Sequence, residues 1–338
     1  MAHPGFEFKR RSFHTLKNTS CLRKAYLGQM LGVRKRPAPD GDGSPLAAGK
    51  VFHTLMEMFY TPPKYANSPM PGTDGNPILR NVEEVIAHYE ANNVAPSAIF
   101  EAVSAFERYK QARGDDEDVR SRVLGRPEPD VDGDFADILG LASGPVPYSA
   151  QFDMVIRNSN DPKVPKGVTA VEHKLLANFY PNTVKSYMNS GQLIGQCTVW
   201  NSREDLVERY GPMTQVMLNL TFKKVMGDKP TVHRTILFFP PEWQLRYAQA
   251  VGMTTRRLER VLQEYASPAY PHDELPLLWT QNGLVDGACV QLAYNCEFLE
   301  VCQDNAIQPE LYQITERGRD RAIADKIVNI SPYVETYE

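Results

Sequence analysis

The chain has 338 residues, 42% of them hydrophobic and 23% charged, a composition that excludes a disordered chain and is sufficient for a folded core. No apolar run approaches the roughly 20 residues that a membrane-spanning helix needs, and the N-terminus carries no apolar signal region. We therefore expect an intracellular protein without membrane association.

The net charge of −4 conceals a strong asymmetry between the N-terminal region and the rest of the chain. Residues 1–36 contain nine Lys and Arg against one acid, a charge of +8, so the remaining residues carry −12. A basic segment on an acidic body is typical of a phosphate-binding arm, although a solvated basic terminus explains the charge equally well. We expect a basic N-terminal helix within residues 14–36, with Arg23 and Lys24 as candidate DNA contacts.

The next predicted helix, residues 47–60, carries a candidate ligand. Gly49, His53 and Glu57 are spaced four residues apart and therefore share one face. The glycine, one turn before His53, leaves room for a ligand to approach the imidazole. A histidine in a helix is more commonly a satisfied core or surface residue, so His53 alone decides nothing.

Residues 61–118 predict a helical insertion, and residues 119–239 a sheet-forming core. The insertion begins with a Pro/Gly loop, and at residue 119 the hydrophobic period changes from helical to strand-like. The predicted helices are 81–92 and 97–113 in the insertion, 182–200 in the core, and Pro240 to about Tyr265 after it. The predicted strands are Val119–Leu124, Phe135–Leu141, Tyr148–Ile156, Val168–Leu176, Val216–Val225 and Thr231–Phe239.

The predicted strand Val168–Leu176 carries charged residues inside an apolar sequence. Because side chains alternate along a strand, Glu172 and Lys174 lie on the same face. A carboxylate and an ammonium are costly in such a strand unless they are paired or bind a metal. Asp153, on the preceding predicted strand, would complete two carboxylates and a lysine able to hold a hard divalent cation beside a phosphate. The Glu-x-Lys tripeptide alone is weak evidence, since it also occurs near the N-terminus.

The five cysteines are an odd number, and without a secretory signal a disulfide framework is not expected. Cys197 falls on the apolar stripe of helix 182–200 with Leu193 and Trp200, and is interpreted as a core residue. The other four cysteines need a different use.

Four motifs follow one another along the chain. They are Gly49-x-x-x-His53-x-x-x-Glu57, Phe152-Asp153, Val171-Glu172-His173-Lys174 and Gln192-x-x-x-Gln196. In this order they resemble the RecB-like branch of the PD-(D/E)XK nuclease superfamily. The resemblance implies an α/β, restriction-endonuclease-like fold with a mixed central sheet flanked by helices.

The resemblance also implies a metal-binding set and a catalytic set. The implied ligands of Mg²⁺ or Mn²⁺ are His53, Asp153, Glu172 and the backbone carbonyl of His173. Lys174 would orient or deprotonate the attacking water, and Gln192 would support the lysine and the DNA strand. Many family members have a tyrosine four residues after that glutamine, where this chain has Gln196, a candidate DNA contact.

Members of the superfamily that carry an iron–sulfur cluster, such as the AddB-type and CRISPR-adaptation nucleases, hold it with one cysteine before the nuclease motifs and three after them. The corresponding residues here are Cys21, Cys289, Cys296 and Cys302. The chain departs from the pattern at Ala293, where a cysteine is expected and Cys289 stands instead. Three interpretations of these four cysteines remain: a [4Fe–4S] cluster, a zinc site and inert thiols. The spacing of the cysteines does not resemble that of a zinc ribbon. A cluster would join residues 267–338 to the N-terminal helix.

The resemblance favours a single nuclease domain over residues 1–338, acting on DNA as an exonuclease rather than an endonuclease. Recombination, repair or replication in the cytoplasm of a bacterial or phage-infected cell is the expected setting. The sequence carries no helicase motor, so a helicase or a recombination or replication protein is an expected partner. Two alternatives stay open: a DNA-binding or scaffolding subunit with a vestigial nuclease centre, and a zinc protein without nuclease activity.

Overall fold

The computed structural model describes residues 24, 27–28, 32–36, 41–62, 79–125, 129–139, 145–178, 180, 182–224, 231–266, 290–291, 294–295, 298, 311–315 and 336–337. The chain divides into a central unit, Ala38–Gln249, and a terminal unit formed by Met1–Pro37 with Ala250–Glu338. Within these described ranges, no helix is both long and apolar enough to cross a bilayer.

The first half of the central unit is helical. It consists of α1 (Pro45–Tyr60), α2 (Val82–Ala91), α3 (Pro96–Arg113) and the short α4 (Glu117–Ser121). Ser44 caps α1, because its hydroxyl accepts the N–H of Ala47 at 3.1 Å, and a proline follows where no N–H is needed. The three helices predicted at 47–60, 81–92 and 97–113 are confirmed, with ends shifted by a residue or two.

Four strands form the central sheet, in the order β4 (Met154–Arg157), β5 (Val168–Leu176), β6 (Met213–Phe222) and β7 (Val232–Phe238). β5 is antiparallel to β4 and parallel to β6, and β7 is antiparallel to β6. The parallel pair requires a crossover, which contains α6 (Thr183–Met188), α7 (Gly191–Asn201) and α8 (Glu204–Tyr210). The predicted α/β fold with a mixed central sheet flanked by helices is confirmed.

Helices cover both faces of β5, which is why its sequence is apolar over most of its length. On one face, α1 and α3 pack against Val171 and Met217 in a single core cluster. Ala102 and Ala105 of α3 are fully buried in that cluster, and their small side chains let α1 approach closely. On the other face, α7 packs against β6. A charged residue on β5 therefore lies in the interior rather than at the surface.

Two predicted strands are wrong. Val119–Leu124 was expected as a strand, but α4 ends at Ser121 and Val123 makes only one bridge, to Ile156. Phe135–Leu141 instead contains α5 (Ala136–Leu139), because the Asp134 carboxylate accepts two backbone N–H groups and turns the chain. A short apolar run contains too few residues for its hydrophobic period to distinguish a strand from a helix.

Two other predicted elements divide. Tyr148–Ile156 becomes β3 (Pro147–Gln151) and β4, and β3 pairs with the unpredicted β2 (Asp130–Asp134). Helix 182–200 breaks before α7, where the Ser190 hydroxyl accepts the Gln192 N–H at 3.2 Å. The long helix after the sheet, α9 (Pro241–Ala266), is confirmed. The break between β3 and β4 leaves Phe152 and Asp153 between these two strands.

The terminal unit brings residues from both ends of the chain together. Its strands are β1 (Arg34–Lys35), β8 (Val290–Gln291), β9 (Tyr294–Asn295), β10 (Tyr312–Thr315) and β11 (Thr336–Tyr337). β10 pairs antiparallel with β1 and parallel with β11, and β8 pairs with β9. A Cβ placed at Gly28 would stand 3.3 Å from the ring of the buried Phe298. The predicted cluster cysteines Cys21, Cys289, Cys296 and Cys302, and the candidate DNA contact Arg23, lie outside the described residues.

Candidate active site

Asp153 lies directly beyond the paired residues of β4, at the edge of β5. The ladder between these strands ends at Met154 and Val171, so β4 offers no further acceptor to the N–H of His173. The Asp153 carboxylate accepts this N–H, with 2.6 Å between Oδ2 and the His173 nitrogen. The break between β3 and β4 therefore places a carboxylate where a ladder hydrogen bond would otherwise form.

His53 contacts the other oxygen of the same carboxylate. Its Nδ1 lies 3.1 Å from Asp153 Oδ1, which joins α1 to the start of β4. Burial disfavours the imidazolium, but the charge of Asp153 and the hydrogen bond to it outweigh burial, and the pKa of His53 is raised. Burial likewise opposes the carboxylate, yet His53 and then Lys174 hold the pKa of Asp153 well below its usual range. Both shifts favour the charged pair.

Glu172 is the most enclosed charge of the site, with 1% of its surface exposed. Lys174 pairs with its Oε1, as expected for two residues on one face of a strand. The Gln192 amide donates to the same oxygen at 2.7 Å, and the Gln196 amide donates to Oε2 at 2.9 Å. Burial and the nearby Asp153 raise the pKa of Glu172, against the opposing influence of Lys174 and Gln196. Burial opposes the charge of Lys174 too, but Glu172 and Asp153 outweigh it and raise the pKa of the ammonium.

Both glutamines hold Glu172, and Gln196 presents no surface to DNA. Gln196 is 1% exposed, and its amide also donates to the carbonyl of Gln151 at 3.0 Å. A side chain so enclosed has no free surface for a DNA strand, which corrects the assignment of Gln196 as a DNA contact. Gln192 shares an oxygen of Glu172 with Lys174, so it supports the lysine through the carboxylate and not by direct contact.

A small pocket opens beside this cluster. Its cavity volume is about 10 Å³, and it is lined by His53, Met56, Glu57, Tyr60, Asp153, Met154 and His173. A cavity of roughly 10–15 Å³ on this measure holds one water molecule, so the enclosed space is about the size of a single water or a bare cation. Glu57, predicted on the same helix face as His53, lines the pocket with it.

A second polar group, which the sequence did not indicate, lies on the other face of β5. The His173 imidazole is 2% exposed and stacks on the ring of Tyr60, with centroids 5.3 Å apart. Burial lowers its pKa to about 3, so the ring is neutral. Behind it, Arg234 pairs with Asp116 through two hydrogen bonds. These residues lie 118 positions apart, and no local pattern marks either of them as part of a site.

The donor set suits a hard cation, although the side chains are turned toward one another. Among the described residues, no three His, Cys, Asp or Glu side chains are arranged to hold a metal ion. Glu172 faces Lys174 and the glutamines, and Asp153 faces His53 and a backbone N–H. In this arrangement Lys174 balances the negative charge of Glu172, and His53 balances that of Asp153. Carboxylate and carbonyl oxygens with an imidazole are ligands of Mg²⁺ and Mn²⁺, so the residues fit such an ion once the carboxylates turn toward the pocket.

Comparisons with known proteins find only distant likeness. No family model and no curated protein matches the chain. Among solved structures, a "Putative exonuclease" from Eubacterium rectale is 11% identical with a TM-score of 0.42, and covers 75% of this chain and 82% of its own. The structure of SSO0001 is 12% identical with a TM-score of 0.27, and covers 60% of this chain and 74% of its own. Likenesses at this level identify no family.

Proposed function

We propose that the chain is a divalent-metal-dependent nuclease that hydrolyses phosphodiester bonds in DNA. The observation that carries the proposal is the convergence of Asp153, Glu172 and Lys174 beside His53. The buried carboxylate of Glu172 and the partly buried one of Asp153 have opposite pKa shifts and are offset by Lys174 and His53, and such a cluster is costly to the stability of a fold. The same groups are those required to hold a hard cation beside a phosphate.

The proposed ligands come from both sides of strand β5. His53, Asp153 and Glu172 would contribute side chains, and His173 its backbone carbonyl. The N–H and C=O of one strand residue point to the same edge, so this carbonyl faces the edge at which Asp153 accepts the N–H. When bound, the ion would polarise the phosphate and lower the pKa of a coordinated water.

Lys174 and the glutamines have separate tasks in this proposal. Because its neighbours raise its pKa, Lys174 is an ammonium that orients the attacking water and offsets charge on the phosphate. Gln192 and Gln196 each donate to one oxygen of Glu172, which fixes the carboxylate plane. Ligands supported in this way keep their orientation when an ion binds.

The order of the four motifs favours the finer assignment of an exonuclease acting on DNA ends in recombination, repair or replication. That assignment depends on the resemblance to the RecB-like nucleases alone. It implies a partner such as a helicase or a recombination protein, because the chain carries no motor motif of its own.

Cleavage of end-labelled DNA tests the proposal. Wild type should degrade 5′- or 3′-labelled single- or double-stranded DNA with Mg²⁺ or Mn²⁺ and not with a chelator. Lys174→Ala should lower the rate by roughly 100-fold or more, since one positioned donor beside the charge that develops on the phosphate contributes at least this much. Lys166→Ala is the matched control, because that side chain is exposed and its ammonium donates to the carbonyl of Glu208, away from the site.

Three outcomes of the assay separate the hypotheses. Activity retained in Lys174→Ala contradicts the mechanism. Tight DNA binding by wild type without turnover under any divalent metal identifies the scaffolding alternative. Release of labelled mononucleotides from one end, rather than internal fragments, supports the exonuclease and gives its polarity.

A further inference from the structure

Arg234 on β7 is the centre of a buried hydrogen-bonded chain that ends at His173. Its guanidinium donates to both oxygens of Asp116, at 3.0 Å to Oδ1 and 2.5 Å to Oδ2. It also donates to the hydroxyl of Tyr109 at 2.8 Å and, through Nε, to the side-chain oxygen of Asn219 at 2.6 Å. The Asn219 amide nitrogen then lies 3.4 Å from Nδ1 of His173.

The order of donors along this chain fixes where the proton of His173 resides. Arginine has donors and no acceptor, so the Asn219 atom beside Arg234 Nε must be the amide oxygen. The other end of the Asn219 amide is therefore a donor, and His173 Nδ1 must accept from it. A neutral imidazole that accepts at Nδ1 carries its proton on Nε2.

The ring is also held by its aromatic neighbours. Tyr60 stacks on it with an interplanar angle of 27°, and Tyr109 meets it edge-on with centroids 6.0 Å apart. The hydroxyls of Tyr60 and Tyr109 bond to each other at 2.5 Å, and Tyr60 also bonds to Asp116. Rotation of the imidazole would therefore disturb the whole group at once.

This arrangement is expensive for stability alone. Asp116 and Arg234 are only 9% and 17% exposed, and a buried ion pair contributes less than an apolar replacement of similar size in many proteins. His173 Nε2 is buried with no hydrogen-bond partner among the described residues, which has its own cost. Hydrogen-bonded residues that lower the stability of the fold and end beside the pocket are typical of residues that position a ligand of the site.

We propose that Asp116, Arg234 and Asn219 set the tautomer and orientation of His173 and thereby position the peptide whose N–H binds Asp153 and whose carbonyl would bind the metal. The inference deepens the proposed function and rests on it for the metal ligand. Asn219 and Arg234 are positioning residues, since neither lines the pocket. We call Asp116, Arg234 and Asn219 the relay. Their effect reaches the site through the His173 backbone, which lies between the relay on one face of β5 and Glu172 on the other.

Asn219→Asp tests the relay with the smallest change in shape. The carboxylate keeps an acceptor for Arg234 but cannot donate to His173, so the proton of His173 should move to Nδ1. Imidazole ¹⁵N shifts in histidine-labelled protein report this directly, with the His173 signals assigned by their absence in His173→Gln. The added negative charge would by itself raise cation affinity, so a decrease cannot be attributed to charge.

Calorimetric titration with Mn²⁺ alone provides the second measurement. We expect Asn219→Asp and Arg234→Lys to weaken Mn²⁺ binding by about 10- to 100-fold, the range found when residues behind a metal ligand are replaced. Arg234→Lys keeps the charge beside Asp116 but loses the bond to Asn219, and serves if the first variant folds poorly. Arg108→Lys is the matched control, because Arg108 is also partly buried but donates to the carbonyls of Phe222 and Lys223.

The results distinguish this inference from the proposed function. A wild-type His173 with its proton on Nδ1, or variants that bind Mn²⁺ as tightly as wild type, overturns the relay and leaves the nuclease proposal standing. A wild type that binds neither Mn²⁺ nor Mg²⁺ removes the proposed function, and the positioning role with it. If Arg108→Lys loses as much Mn²⁺ affinity as Asn219→Asp and Arg234→Lys do, the loss reflects general destabilisation. That result also overturns the inference.

Discussion

Each oxygen of the Glu172 carboxylate has its own partners. Oε1 receives Lys174 and Gln192, and Oε2 receives Gln196. A carboxylate in the interior needs such donors, because an unpaired buried charge costs several kcal/mol. The donors are not equivalent: Gln196 is alone on its oxygen and fully buried, whereas Gln192 shares its oxygen with a lysine and is partly exposed.

Gln196→Leu should lower the free energy of unfolding by about 1 to 3 kcal/mol, because the buried Oε2 of Glu172 loses its donor, as does the carbonyl of Gln151. Gln192→Leu should lower the free energy of unfolding by less than Gln196→Leu does, since Lys174 still neutralises Oε1 of Glu172. Urea unfolding of the two variants measures the difference. Equal losses would show that burial and not hydrogen bonding decides the contribution of each glutamine.

At the scale of elements, the sequence predicted the strand β5 to its ends and the helix α1 nearly so, because both have long, regular hydrophobic patterns. Alternation along β5 was enough to place Glu172 and Lys174 together. The exact contact of Asp153 was not predictable, since it depends on where β4 ends. The relay through Asp116 was missed because an acidic turn and a strand arginine meet only in the folded chain.

Asp116 and Arg234 join the turn after α3 to the edge strand β7, and this link should depend on pH. Burial opposes ionisation of Asp116, but the hydrogen bonds from Arg234 and Tyr60 outweigh it and lower the pKa below the ordinary 3.8. The folded-state pKa is thus below the unfolded one, so the stabilisation is complete above about pH 4 and is lost as pH falls through the folded value.

Asp116→Asn should therefore reduce stability at pH 7, by roughly 3 kcal/mol as one partner of a buried pair is removed, and should flatten the fall in stability below pH 4. Asp118→Asn is the control from the same acidic run, because the Asp118 side chain is 83% exposed and pairs with Arg122 at the surface. Its effect should stay within about 0.5 kcal/mol. Urea unfolding between pH 3 and pH 7 compares them; an identical pH dependence in Asp116→Asn and wild type would contradict the assignment.

At the scale of the whole molecule, the terminal unit joins the two ends of the sequence. β1 near residue 34 pairs with β10 near residue 312, and Gly28 lies against Phe298. Phe298 follows Cys296 by two residues, and Gly28 follows Cys21 by seven. A four-thiolate site drawing on both ends of the chain requires such neighbouring segments, but Cys21, Cys289, Cys296 and Cys302 lie outside the described residues, and the [4Fe–4S] cluster stays a prediction from the sequence.

Cys296→Ala should lose visible colour and solubility together, because a structural metal site can contribute on the order of 10 kcal/mol, comparable with the stability of a domain. Cys197→Ala is the matched control: Cys197 is fully buried in α7, burial raises the pKa of its thiol, and it belongs to the apolar core. That variant should keep its colour. The measurements are the visible absorbance and the iron and zinc contents of protein purified without oxygen. Zinc without colour in the wild type favours the zinc site. A Cys296→Ala protein that is colourless yet soluble and fully active contradicts the structural role of the cluster.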